Sequence, residues 1–131
     1  MPIKQLNPYL NFNGNAAEAI KLYEKVLGAR TEGVMPFDND PNRVMHARLQ
    51  IGPGLIMLSD GPPNMTVPKD SNAHISLDYS DVDEMRRVFD GLATGGTITM
   101  ALQDTFWGAT FGMLTDKFGI HWMFNFDKPK S

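Results

Sequence analysis

Cysteine is absent from the 131 residues. That excludes a disulfide framework, a thiolate zinc site and cysteine nucleophile chemistry, and it suits a reducing, cytoplasmic compartment. A basic excess is missing too. Twelve Lys and Arg stand against 15 Asp and Glu, for a formal charge of -3 and a pI near 5.5. With no basic stripe, nucleic acid is not an expected partner. No apolar run approaches the roughly 20 residues of a membrane span. The opening MPIKQLNPYL has no apolar h-region, so neither a membrane partner nor a signal peptide is expected. No P-loop or G-x-G-x-x-G opens a helix after a strand, and no G-x-S-x-G elbow is present. What remains is a chain that is 42% hydrophobic, with 9 Met, 8 Phe, 3 Tyr and 2 Trp. Its length suits a single domain with a core of its own. The Met and aromatic content serves core filling or an adaptable apolar cavity.

Two segments share one helical grammar. Asn15 to Leu27 opens on a capping residue with Glu18 three positions later, and Ala16, Ala19, Ile20, Tyr23 and Leu27 form one face. Gly28 supplies the stop. In the second segment Ser80 caps, Val82, Met85, Val88, Phe89 and Leu92 form the face, and Gly95-Gly96 stop it. Thr94 to Thr97 (TGGT) follows a helix, so it is a stop and no phosphate cradle. Before each helix lies a short strand, Pro8 to Asn13 and His74 to Tyr79. After the first come Arg30 to Met35, Val44 to Ile51 and Leu55 to Ser59. After the second come Thr97 to Leu102, Thr110 to Thr115 and Ile120 to Phe126. Both halves read βαβββ and superpose without a gap at an offset of 66, Asn15 on Asp81 and Met57 on Met123. The spacing predicts an internal duplication: a first module over residues 5–60, a linker over 61–72 and a second module over 73–127.

Three stretches carry a resemblance: PYLNFNGNAAEAIKLYEKVLGA, VMHARLQIG and DTFWGATFGMLTDKFGIHWMFNF. Together they resemble the PhnB-like branch of the vicinal-oxygen-chelate (glyoxalase/bleomycin-resistance/dioxygenase) superfamily, over about residues 5–127. The resemblance implies an α+β fold of two βαβββ modules, curved mixed sheets enclosing a cavity, and a homodimer. It also implies a divalent metal held by a His or Gln, a Glu, a His and a Glu from the first and last strands of each module. Carried over singly, these positions fall on Pro8, Met57, His74 and Met123. Proline offers no ligating side-chain atom, and a thioether is a soft stand-in for a hard carboxylate. The metal-bound Glu that moves the substrate proton in glyoxalase-like members is missing as well. The expectation is therefore no cofactor, no metal site and no glyoxalase activity. Some relatives carry a demethylubiquinone-methyltransferase label. A chain filled by two βαβββ modules, with no doubly wound pattern or glycine-rich nucleotide loop, argues against that activity here.

Strand alternation bears on the site independently. His46, Arg48 and Gln50 share one phase of the third strand, and Met45, Ala47, Leu49 and Ile51 the other. His74, Ser76 and Asp78 share a phase, as do His121, Met123 and Asn125. The apolar phases are expected under the helices, because a covered sheet face must be dry. The mixed phases then face the concave side. A few convergent polar groups among apolar ones is the composition of a ligand site. The candidate small-molecule site is His46, Arg48, Met57, His74, Ser76, Trp107, His121 and Met123. Arg48 suits an anionic group, and Trp107 suits a wall over a flat ligand or an interface. The three His either hydrogen-bond across the cavity or form a transition-metal triad. The expected function is metal-free binding of a small molecule, possibly anionic. The alternative is a lyase, isomerase or dioxygenase with a rearranged His-based divalent site.

Overall fold

The computed structural model describes residues 2–61, 66–68 and 70–129. Residues 62–65 and 69 of the expected linker lie outside them. Ten elements follow in chain order. The first module holds β1 (Tyr9–Asn11), α1 (Ala16–Leu27), β2 (Arg30–Phe37), β3 (Asp40–Ile51) and β4 (Gly54–Ser59). The second holds β5 (Ile75–Tyr79), α2 (Val82–Ala93), β6 (Thr97–Asp104), β7 (Ala109–Thr115) and β8 (His121–Asp127). The chain separates into two compact units, Met1–Pro68 and Lys69–Ser131. Each contains one four-stranded sheet, ordered β1-β4-β3-β2 and β5-β8-β7-β6. In each, the first and last strands of the module pair in parallel and the other pairs are antiparallel. This is the two-module α+β fold that the sequence implies. Both sheets are open, with β1 and β2, or β5 and β6, as edges.

In the first unit α1 buries Ala16, Ala19, Ile20, Tyr23 and Val26 against the sheet. Val26 takes the buried place expected of Leu27, which is half-buried. The chain leaves α1 through Gly28 at φ +69°, a left-handed turn that favours glycine, and Ala29 N donates to Tyr23 O at 3.2 Å. The start of α1 differs from expectation. The Asn15 side chain makes no cap bond. Asp60, fully buried at the end of β4, accepts from Gly14 N at 2.8 Å, Ala16 N at 2.9 Å and Val44 N at 2.8 Å. A carboxylate 44 residues downstream of Ala16 thus satisfies the first N–H of the helix.

The helix face of sheet one comprises Val44, Ala47, Leu49, Ile56 and Leu58, all buried. Met45 was expected there and is instead 40% exposed. The cause is a bulge. Met35 pairs with His46 and Pro36 with Val44, so Met45 has no place in the β2–β3 ladder. Pro36 cannot donate to a ladder, which makes this a favourable place for the extra residue.

In the second unit α2 buries Met85, Val88, Phe89 and Leu92. Its N-cap is Asp81, one residue beyond the expected Ser80. Its carboxylate accepts from Asp83 N at 2.9 Å and Glu84 N at 3.3 Å. Gly112 lies on the helix side of β7. A Cβ there would meet Leu102 Cδ2 at 2.8 Å and Phe89 Cε2 at 3.0 Å, so the glycine lets α2 seat closely. Trp122 and Phe124 are fully buried while His121 and Met123 stay half-buried, in the phase that alternation requires. Buried Asp116 fixes the turn into β8. It accepts from Phe118 N at 2.9 Å, Ile120 N at 3.1 Å and Trp122 Nε1 at 2.9 Å.

Candidate functional site

Each sheet carries a mixed face opposite its helix. On sheet one the register sets Arg48 against Met57, and Met57 against Tyr9 on its other side. Tyr9 and its neighbours on this face were not singled out from the sequence. The Tyr9 phenol lies 2.9 Å from His46 Nδ1, with ring centroids 5.7 Å apart. Pro8, the position reached by counting back from the helix, is exposed and precedes β1. Tyr9 is therefore the first-strand residue beside Met57. Alternation along the expected first strand carried that signal, and fixing the parallel register was needed to use it.

Arg48 opens onto a cleft of about 380 Å³ on this face, lined by residues including Gln5, Asn7, Glu32, Gln50 and Leu55. Asn7 Nδ2 donates to Leu55 O at 2.9 Å, tying the N-terminal segment to the start of β4. The Arg48 side chain is 45% exposed, and Glu32 Oε1 stands 3.8 Å from its Nε. Glu32 occupies the residue skipped where the β2–β3 register shifts between Thr31 and Gly33. The ion pair is long and half-exposed, so it holds the guanidinium weakly. His46 and Met57 share the face with Arg48 and lie outside the cleft lining.

The other five candidate residues belong to the second unit. Ser76 pairs with Met123, and Met123 faces Met113 across the β7–β8 ladder. His74 is exposed just before β5, its ring centroid 5.3 Å from that of His121. His121 Nδ1 lies 2.7 Å from Thr115 Oγ1. Its Nε2 is shielded from solvent and meets no hydrogen-bond partner among the described residues. Trp107 is 59% exposed at the tip of the β6–β7 turn, edge-on to Phe106 at 4.9 Å and Phe111 at 6.4 Å. That turn is tied down. Thr105 N donates to Ala109 O at 2.8 Å, and Lys128 N donates to Gly108 O at 2.9 Å. At its base the Lys128 ammonium, 2.9 Å from Asp104, holds the Asp104 carboxyl below the usual range, helped by Thr110. The structure thus brings together His46, Arg48 and Met57 in one unit, and His74, Ser76, His121 and Met123 in the other. Among the described residues no three His, Asp or Glu side chains cluster to hold a cation.

Residues 5–124 match the model of the Glyoxalase/Bleomycin resistance protein/Dioxygenase superfamily. The chain belongs to that superfamily. Within this superfamily it is similar to the protein YjdN of Escherichia coli (strain K12), 39% identical over 95% of this chain and 97% of that one. The crystal structure of PA1353 from Pseudomonas aeruginosa is similar at 40% identity. It covers 95% of this chain and 98% of that one, with a TM-score of 0.87. A Bacillus cereus protein shares the fold at 24% identity and a TM-score of 0.75, over 94% of this chain and 99% of that one. Its description pairs a proposed 3-demethylubiquinone-9 3-methyltransferase activity with the name PhnB protein.

Proposed function

We propose that this member of the superfamily binds a small anionic molecule without a hard divalent metal, and that Arg48 is the anchor. The observation that carries the reading is the cleft of about 380 Å³ into which Arg48 opens, with amide side chains of Gln5, Asn7 and Gln50 around it. A guanidinium with a weak internal ion pair is a forked donor for carboxylate or phosphate-like oxygens. The strand positions that supply hard ligands in the superfamily do not fit a hard cation here. Beside Met57 stands the Tyr9 phenol, and beside Met123 the Ser76 hydroxyl. Neither pair offers the carboxylate that a hard divalent ion requires. We further read the protein as a cytoplasmic homodimer, on the cysteine-free composition and the exposed apolar residues of the edge strands β2 and β6.

The test is a melting-temperature screen in EDTA over small carboxylates, phosphates and phosphonates. Binding to the folded state alone raises the melting temperature by mass action. At least one anion class should stabilise the wild-type chain, and Arg48→Gln should abolish the shift. Stabilisation that appears only on adding a divalent metal would falsify the reading, and so would a blank panel. A second reading is a lyase, isomerase or dioxygenase built on a rearranged His site. It draws on the 5.3 Å approach of the His74 and His121 rings. It requires stoichiometric divalent metal and loss of that metal in His74→Ala.

A further inference from the structure

The mixed face of the second sheet holds a group of neutral, soft donors that anion binding at Arg48 does not use. Met113 and Met123 face each other in an unbroken stretch of the β7–β8 ladder. Residues directly opposite on one face have Cβ atoms roughly 4.5–5.5 Å apart. The next pair along the same face is Thr115 with His121. The His74 ring approaches His121 from the β5 side, centroid to centroid 5.3 Å. Two thioethers and two imidazoles therefore occupy neighbouring positions on one face of the sheet.

The state of His121 turns this proximity into a site. Its Nδ1 is paired with Thr115 Oγ1 at 2.7 Å. In the tautomer whose Nδ1–H donates to that oxygen, Nε2 carries the lone pair. This is how metal-ligating imidazoles are oriented, one nitrogen fixed by an oxygen acceptor and the other free to ligate. Nε2 is also shielded from solvent without a hydrogen-bond partner among the described residues. An unmet buried acceptor costs free energy that a ligand can restore. The two carboxylates on this face of β5 and β8, Asp78 and Asp127, are both engaged by Asn125 Nδ2, at 3.0 and 3.2 Å. Thioether and imidazole without carboxylate select a soft ion over a hard one.

We propose that His121, Met123, Met113 and His74 form a binding site for one soft monovalent cation of the Cu(I) class. The site goes beyond the Arg48 reading and shares no residue with it. The test is an anaerobic titration of the full chain with Cu(I) in ascorbate, against the chelator bicinchoninate, with Zn(II) and Mn(II) in parallel. One equivalent of Cu(I) should survive competition, with both nitrogen and sulfur scatterers in its X-ray absorption spectrum, and neither divalent ion should be retained comparably. Met123→Leu conserves volume and His74→Ala alters an exposed residue. Each should weaken Cu(I) binding by at least about tenfold, and His74→Ala keeps the test valid if Met123→Leu folds poorly. Met45→Leu, an exposed methionine of the first sheet, should bind as wild type. Absence of retained Cu(I), scatterers of nitrogen and oxygen alone, unchanged binding in His74→Ala, or equal weakening in Met45→Leu overturns the proposal. Arg48→Gln separates the two readings, because it should remove the anion response and leave Cu(I) binding intact.

Discussion

Two buried carboxylates organise the strand ends, and neither was singled out from the sequence. Asp116 sits in a turn whose partners Phe118, Ile120 and Trp122 are near neighbours in the chain, and the turn residues Lys117-Phe118-Gly119 mark it. Asp60 reads as the last residue of the first module, just before Gly61 and two prolines. Its partners Gly14, Ala16 and Val44 lie 16 or more residues away, so no local spacing announces them. The energetic consequence differs from that of a local cap. Asp60→Ala leaves three main-chain donors without their acceptor in a dry site and should lower unfolding free energy by at least about 2 kcal/mol. Asp81→Ala removes an exposed cap and should cost about 1 kcal/mol. Urea denaturation of both variants checks the order, and equal losses would contradict it. The Tyr9–His46 pair was likewise hidden, because it depends on which residue of a short strand lies beside Met57.

At the scale of elements, the 3.6-residue period located both helices within a residue or two, and strand alternation separated buried Trp122 and Phe124 from half-buried His121 and Met123. It failed at Met45. Alternation assumes an unbroken ladder, and the bulge opposite Pro36 is a property of two strands together. The junction of β5 and α2 gives a pH prediction. Tyr79 stacks on Phe124 with centroids 6.3 Å apart, and its pKa is raised from 10.0 to about 12, first by burial and then by the negative charge of Glu84. The folded state therefore holds this proton more tightly than the unfolded chain. The contribution is complete below pH 10 and is lost as pH rises toward 12. Urea midpoints measured across that range should fall less steeply in Tyr79→Phe than in wild type. Matching slopes would exclude Tyr79 as a contributor.

On the scale of the whole chain, the two-module fold was legible because its signals are local and repeated. The two helices begin at Ala16 and Val82 and run 12 residues each. Assembly is less legible, because an exposed side chain has the same one-letter code as a covered one. Both sheets end on an edge strand with exposed apolar groups, Val34 and Met35 on β2, Ile98 and Met100 on β6. Such edges invite pairing with another chain. Sedimentation equilibrium at micromolar concentration should return twice the monomer mass, and Val34→Lys with Ile98→Lys should shift the species toward monomer. A wild-type monomer at that concentration would remove the homodimer from the proposed function.

The distant anchoring of α1 also determines where the gene could be cut in two. Beyond Asp60, Asn13 grips Val67 from both sides, its Oδ1 accepting from Val67 N at 2.6 Å and its Nδ2 donating to Val67 O at 2.9 Å. A half-length polypeptide ending with the last strand would lose the acceptor for its own helix start and this clasp as well. One beginning at residue 73 loses nothing comparable, since Asp81 travels with its helix. The two modules are thus unequal as independent pieces, and the leading one carries a tail it needs.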